Sequence, residues 1–123
     1  MILKIDTTHG HDVEIKILDN KKNIIQKKFH AEYAQAEKLL PAIIEMFKKE
    51  KIRLEDVKKI KVENRGGGFT ALRIGVITAN ALGYSLNIPV EPVLGQAKKV
   101  GKISIIEPKY DKEPNITTPK TRG

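Results

Sequence analysis

Polar and apolar side chains alternate near the start of the chain. Residues 13–17 of the segment VEIKIL (13–18) alternate apolar and charged side chains, as strands with one buried face do. Residues 2–6 (ILKID) and 24–29 (IIQKKF) have a strand-like composition, and the Asp, Asn and Lys residues of 19–23 lie between the second and third segments. Those residue types favour a hairpin turn. The pattern predicts a three-stranded antiparallel meander.

The period then changes to that of a helix. Apolar side chains recur every three to four residues through 31–50, although Pro41 lies within this stretch. A proline there should kink the helix, or else the predicted bounds are wrong. VKKIKV at 57–62 predicts a fourth strand, residues 69–87 a second helix and IPVEPV at 88–93 a last, edge strand.

The remaining residues are less regular. LGQAKKVGK at 94–102 is typical of a loop or short helix, KISIIEPKY at 102–110 of an extended segment, and EPNITTPKTRG at 113–123 of a flexible tail. We expect one lobe over residues 1–94, followed over 95–123 by a linker, the extended segment and the tail. The order β-β-β-α-β-α-β predicts an α/β fold with a mixed five-stranded sheet.

Composition narrows the class of protein. The absence of cysteine excludes disulfides and thiolate metal sites. No apolar run could span a bilayer and Met1 leads directly into a predicted strand, so we expect a cytoplasmic protein. The net charge of +8 fits either an anionic partner such as RNA or simply a solvated, lysine-rich surface. Because the lysines are scattered and aromatic residues make up only 5%, we expect any contact with tRNA to be indirect.

Three glycines at 66–68 precede the second helix. A Walker-type phosphate loop would need a lysine and a hydroxyl directly after them, whereas Phe69 and Thr70 follow. A helix N-terminus could still attract an anion. We favour the simpler interpretation, a tight turn that only glycine can make.

The second helix has apolar and small residues over much more than one face. We expect it to pack on the sheet on one side and on a second helix or a partner on the other. Gly75, Ala79 and Gly83, at a spacing of four, would let another backbone approach closely. The alternative is a helix buried within the lobe by the first helix.

The chain carries four motifs in this order: ILKIDTT at 2–8, LLPAI at 39–43, RGGGFTALRIGVITANALG at 65–83 and NIPV at 87–90. Together they resemble the TsaB family, the partner subunits in bacterial tRNA threonylcarbamoyladenosine synthesis. The chain departs from the family pattern at the glycines, which replace GPGS, and at Thr8, Gln35 and Ala71. EPKY at 107–110 resembles a motif near the family's C-terminus. The resemblance implies a single actin-like (RNase H-like) lobe, with the second lobe of the family missing.

The resemblance further implies a non-catalytic subunit that binds a TsaD-type catalytic subunit through its two helices and supports modification of adenosine 37 of tRNA. A TsaE-type ATPase is a further candidate in the complex, and a homodimer through the same helices is the alternative assembly. No cofactor or metal is expected, and Asp6, Thr7 and Thr8 occupy only a remnant phosphate position. The predicted partner-binding residues are Leu40, Ile44, Phe47, Val76, Ala79, Gly83 and Leu86, with Arg73 at the rim.

A second hypothesis comes from the same topology. RNase H-like nucleases hold two metal ions with carboxylates on the first strand, the first helix and the end of the fourth strand. Asp6, Glu37 or Glu45, and Glu63 occupy those positions here. This alternative predicts a metal-dependent nuclease.

Overall fold

The fold is a mixed sheet with two helices, seen in a computed structural model that describes residues 1–19, 24–31, 35–66, 68–93, 98–100, 103–107 and 109. The strands of the main sheet are β1 (Ile2–His9), β2 (Asp12–Leu18), β3 (Ile24–His30), β4 (Lys59–Val62) and β5 (Val90–Pro92). The helices are α1 (Gln35–Lys49) and α2 (Phe69–Leu86), and a 3₁₀ turn (Leu54–Asp56) precedes β4. A small second sheet pairs β6 (Lys98–Val100) with β7 (Ile103–Ile105).

The strand order of the main sheet is β3-β2-β1-β4-β5. The meander β1-β2-β3 is antiparallel, whereas β1 with β4 and β4 with β5 are parallel. Parallel neighbours need a crossover connection, and the helices provide it. The predicted mixed five-stranded sheet and its element order are confirmed.

Both helices pack on the same face of this sheet. α1 contacts β2 and α2, while α2 contacts β1, β4 and β5. Every second residue of the central strands is buried against them, because successive side chains point to opposite faces. The buried strand residues are Leu3, Ile5, Val13, Ile15, Ile17, Ile60, Val62 and Val90. From the helices, Leu39, Ile43, Met46, Phe47, Val76 and Ala79 complete the core.

Helix α1 continues through Pro41. A proline removes the hydrogen bond to the carbonyl four residues earlier, here that of Glu37. Both residues are exposed, so water can solvate that carbonyl. The predicted helix over 31–50 is confirmed between Gln35 and Lys49, and residues 32–34 lie outside the described part. None of the described helices is long and apolar enough to cross a membrane.

Helix α2 lies unusually close to the sheet at two glycines. A Cβ atom added to Gly75 would lie 2.6 Å from Thr7 Oγ1, and one added to Gly83 would overlap the Val90 side chain and lie 3.1 Å from the Ile88 carbonyl. The backbone that approaches the predicted small-residue stripe is therefore the chain's own sheet. The stripe does not face a partner.

Two asparagine side chains each hold the segment after β7 against the lobe by hydrogen bonds. Asn80 of α2 donates from Nδ2 to the Ile106 carbonyl (2.9 Å) and accepts from the Ile106 amide (3.0 Å). Buried Asn64 donates to the Glu107 carbonyl (2.7 Å), and Lys109 N donates to the Asn64 carbonyl (2.6 Å). Part of the predicted extended segment is thus fixed at the end of β4.

One local prediction is wrong. Residues 98–100, expected in a loop or short helix, form strand β6. The pairing with β7 supplies backbone hydrogen bonds that a window of local sequence does not reveal. The predicted tail over 113–123 lies outside the described residues.

We predict that Gly83→Val destabilises the fold. Overpacking a close-fitting contact costs about 1–3 kcal/mol, and Val90 and the Ile88 carbonyl leave no room for the new side chain. The free energy of unfolding, measured by urea denaturation, should fall by roughly 2 kcal/mol or more. Ala81→Val at an exposed position of the same helix controls for helix propensity and should cost under about 1 kcal/mol. Equal losses in the two variants would contradict this packing.

Candidate partner-binding face

The two helices present apolar side chains to solvent as well as to the core. On α1, Leu40 and Ile44 are 41% and 43% exposed, although their neighbours Leu39 and Ile43 are fully buried. On α2, Ile77 and Tyr84 are 58% and 70% exposed. Residues four or seven apart share one side of a helix, so each pair forms a stripe along its helix.

The stripe on α1 lies on the side that faces α2. Glu45 marks the opposite side of α1, because its carboxylate accepts a hydrogen bond from Lys27 Nζ of β3 at 2.7 Å. At about 100° per residue, Leu40 and Ile44 lie roughly 100–140° around the helix from Glu45. Since β3 is the edge strand next to β2 and α2 covers β1 and β4, the stripe points away from β3.

Arg73 completes the surface. It is exposed and lies four residues before Ile77, on the same side of α2. We define the outer helix face by Leu40, Ile44, Arg73, Ile77 and Tyr84. Apolar side chains beside one guanidinium form the composition that protein interfaces favour, because aromatic residues and arginine are enriched there.

The predicted partner-binding residues divide between this face and the core. Leu40, Ile44 and Arg73 lie on the outer helix face, and Leu86 is half-buried at the end of α2. The other four pack inside the lobe, where a partner cannot reach them: Phe47, Val76, Ala79 and Gly83. Sequence reasoning missed Ile77 and Tyr84, and their unusually high exposure is the signal that finds them.

The turn between the fourth strand and α2 is built on glycine. Gly66 has a φ of +80°, a conformation that side chains disfavour. Gly68 caps the helix with a φ of −75° and makes no side-chain capping hydrogen bond. The positive φ of Gly66 supports a tight glycine turn at that position, whereas the φ of Gly68 is one that any residue adopts, and Gly67 lies outside the described residues.

The end of β1 forms a hydrogen-bonded cluster. Thr7 is fully buried, and its hydroxyl donates to the Ala71 carbonyl of α2 at 2.7 Å. The Thr8 amide and hydroxyl both donate to Asp6 Oδ1, at 2.9 and 2.6 Å, and His9 Nε2 lies 3.1 Å from Asp6 Oδ2. The predicted remnant phosphate position is therefore occupied by contacts within the chain.

These contacts set the charge of Asp6. Partial burial is the largest single influence and would raise the pKa of its carboxyl group. The hydrogen bonds from Thr8 and the interaction with His9 act in the other direction and together lower the pKa below its ordinary value. The cluster thus holds a carboxylate in place by hydrogen bonds to its ionised form.

The nuclease hypothesis needs carboxylates that converge, and the described part of the chain does not provide them. No group of three His, Cys, Asp or Glu residues there could hold a metal ion. Glu45 is 72% exposed and pairs with Lys27, Glu37 is exposed on α1, and Asp6 is bound by Thr8 and His9. The expected trio of Asp6, Glu37 or Glu45, and Glu63 is not assembled, because α1 turns its acidic side away from the core.

A five-stranded mixed sheet with both helices on one face defines one lobe of the actin-like class. Residues 20–107 match the model of a family described as "TsaD: tRNA N6-adenosine threonylcarbamoyltransferase". The chain belongs to this family of tRNA-modification proteins. Among curated protein sequences, none matches the chain.

Solved structures share the fold. YeaZ from Pseudomonas aeruginosa superimposes with a TM-score of 0.69 at 23% identity, over 75% of this chain and 42% of that one. A protein of the same organism, described as uncharacterised and similar to the peptidase YEAZ, matches with the same values. The chain therefore spans about 42% of the length of the structures it matches. The fold and the family match together confirm the predicted TsaB-like lobe.

We predict that Thr8→Val raises the pKa of Asp6, because it removes the hydroxyl that bonds to Oδ1. A carboxyl group whose folded-state pKa is lowered stabilises the fold above its unfolded pKa of about 3.9, and this contribution is lost as the pH falls through the folded pKa. The free energy of unfolding of Thr8→Val should therefore be lower than that of the wild type at neutral pH. In acid, where Asp6 is protonated in both proteins, this difference should disappear.

An NMR titration of the Asp6 carboxyl carbon measures the pKa directly. Thr8→Ser keeps a hydroxyl at the same position and should leave the pKa unchanged. If the pKa of Asp6 were the same in Thr8→Val as in the wild type, the Thr8 hydroxyl would not be what holds the carboxylate.

Proposed function

We propose that this chain is a non-catalytic partner subunit. It binds a TsaD-type enzyme through the outer helix face and supports threonylcarbamoyladenosine formation on tRNA. The observation that carries the proposal is the exposure of Ile77 and Tyr84 on α2 and of Leu40 and Ile44 on α1, two helices whose inner sides already fill the core. Membership of a tRNA-modification family supplies the class of enzyme.

The packing of the helices favours docking of a preformed surface. Phe47, Val76 and Ala79 of the same two helices are buried in the core, and side chains on helices held in this way lose little conformational entropy when a partner binds. Arg73 stands exposed at the rim of this face. A helix bundle with one pair of helices from each subunit would cover all four apolar side chains.

The state of the β1 cluster supports a non-catalytic role. Nucleotide phosphates need free donors, whereas the Thr7 and Thr8 hydroxyls both donate within the chain. Asp6 likewise accepts from Thr8 and lies beside His9. In this proposal, the enzyme subunit supplies the chemistry and a TsaE-type ATPase joins the same complex. The chain alone would form a homodimer through the outer helix face.

We predict that Ile77→Glu weakens the complex with a TsaD-type subunit. Burying an unpaired carboxylate in an apolar interface is costly, and central interface residues commonly contribute 2 kcal/mol or more, about a 30-fold change in Kd. Size-exclusion chromatography with light scattering would show a heterodimer for the wild type and its loss in the variant. Transfer of the threonylcarbamoyl group to tRNA by the enzyme should fall in parallel.

The matched control is Leu54→Glu, which places the same charge at another exposed apolar side chain (38% exposed) outside both helices. It should bind like the wild type, and both variants should keep the wild-type circular dichroism spectrum. A wild-type chain that forms no complex would refute the proposal. A chain that only self-associates, through Ile77, would instead identify the outer helix face as a homodimer interface.

A further inference from the structure

The face of the main sheet opposite the helices carries polar side chains in its centre. Strand residues that alternate with the core positions point to this face, and it includes lysines from three neighbouring strands. Both helices lie on the other side. Because the outer helix face is also on that other side, the two surfaces can be occupied at the same time.

The register places three of these lysines in one row. Lys4 of β1 is directly opposite Lys16 of β2 and directly opposite Lys61 of β4. Neighbouring strands are about 4.8 Å apart, so the row spans roughly 10 Å. Like charges directly opposite one another destabilise a sheet. The row therefore opposes folding in the isolated chain and would be stabilised by an anion laid across it.

The carboxylates nearest to this lysine row are engaged mainly by other groups. Glu14 contacts Lys16 at 3.5 Å, but it also lies 3.5 Å from Lys28 and accepts from Gln26 at 2.6 Å. Glu91, which is opposite Lys61 in the register, pairs instead with Lys59 at 3.2 Å. Within the part of the chain that the structure describes, Lys4 and Lys61 have no ion-pair partner.

The three remaining carboxylates of this face lie beyond the row. Asp6 is bound by Thr8 and His9, Asp12 pairs with His30 at 3.1 Å, and Glu63 follows the last residue of β4. Within the described residues, the positive charge of this face that no carboxylate neutralises thus lies at Lys4 and Lys61, next to Lys16, whose partner Glu14 is shared with Lys28. A ligand that follows a line of regularly spaced charges fits this arrangement better than a single small anion does.

We propose that the lysine row binds the phosphate backbone of RNA directly. Lysine ammonium groups act as point charges for phosphates, and a row of them on a flat sheet can contact successive phosphates without reading the bases. The family's tRNA substrate makes RNA the favoured polyanion over an acidic protein surface, and the choice of tRNA as the probe rests on the proposed function. A direct contact with RNA differs from the sequence-based expectation, in which scattered lysines allow only an indirect contact with tRNA.

The test is binding of the full-length chain to a labelled, unmodified tRNA transcript, followed by fluorescence anisotropy from about 25 to 250 mM salt. The triple variant Lys4→Gln, Lys16→Gln, Lys61→Gln should weaken binding about tenfold or more at low salt. The slope of log affinity against log salt should shrink by about 2–3, because each lost phosphate contact contributes roughly 0.7–0.9. Its melting temperature should equal or exceed that of the wild type, since repulsion is relieved.

The control removes the same charge elsewhere, as Lys38→Gln, Lys48→Gln, Lys49→Gln at exposed positions of α1. This control variant should change the slope of log affinity against log salt by less than one unit. If both triple variants lost tRNA affinity equally, the binding would depend only on net charge, and the proposal would be overturned. The proposal would also be overturned if the wild-type chain bound no tRNA at low salt. The same holds if the lysine row bound polyglutamate instead of tRNA.

The light-scattering assay with the TsaD-type subunit separates this proposal from the proposed function. The lysine triple variant should still form the heterodimer, because its substitutions lie on the opposite face of the sheet. Loss of RNA binding with an intact heterodimer supports the row as an RNA contact. RNA binding through the row without any heterodimer would support this inference and refute the proposed partnership.

Discussion

The close contact between α2 and the sheet is the constraint on which the rest of the structure depends. It is possible only because Gly75 has no side chain where Thr7 lies and Gly83 has none where Val90 lies. At this short distance the Thr7 hydroxyl reaches the Ala71 carbonyl, so the buried polar group is satisfied rather than costly. Asn87 then turns the chain with a φ of 56° and leads it into β5. The contact thus fixes both ends of the crossover.

This packing also determines which surfaces are left for function. The inner side of α2 carries its small residues together with Leu72 and Val76, whereas Ile77 and Tyr84 lie on its outer side and remain exposed. α1 fills the neighbouring space over β2 and leaves Leu40 and Ile44 on the side of α2. The lysine row lies on the opposite face of the same sheet. One structural contact therefore separates an apolar surface from a basic one.

The sequence predicts the strands and helices well because their signals are local. Alternation in residues 13–18 and the helical period around Leu39 and Ile43 depend on near neighbours only. The orientation of α2 could not be predicted, because apolar residues cover most of its circumference and a helical wheel gives such a helix no clear inner side. This is why the sequence predicts Val76, Ala79 and Gly83 at a partner interface, although they lie in the core.

Features that depend on strand order were also beyond the sequence. Lys4, Lys16 and Lys61 are scattered along the chain and become neighbours only when β1 pairs with both β2 and β4. The row of like charges persists because the same strand pairing buries the apolar residues next to the lysines. Leu3 and Ile5, on either side of Lys4, are almost wholly buried in the core. A shift of register by one residue would move these side chains to the opposite face. Burial of the core therefore fixes the lysines in a line, and their repulsion is a cost that the apolar face of the same strands offsets.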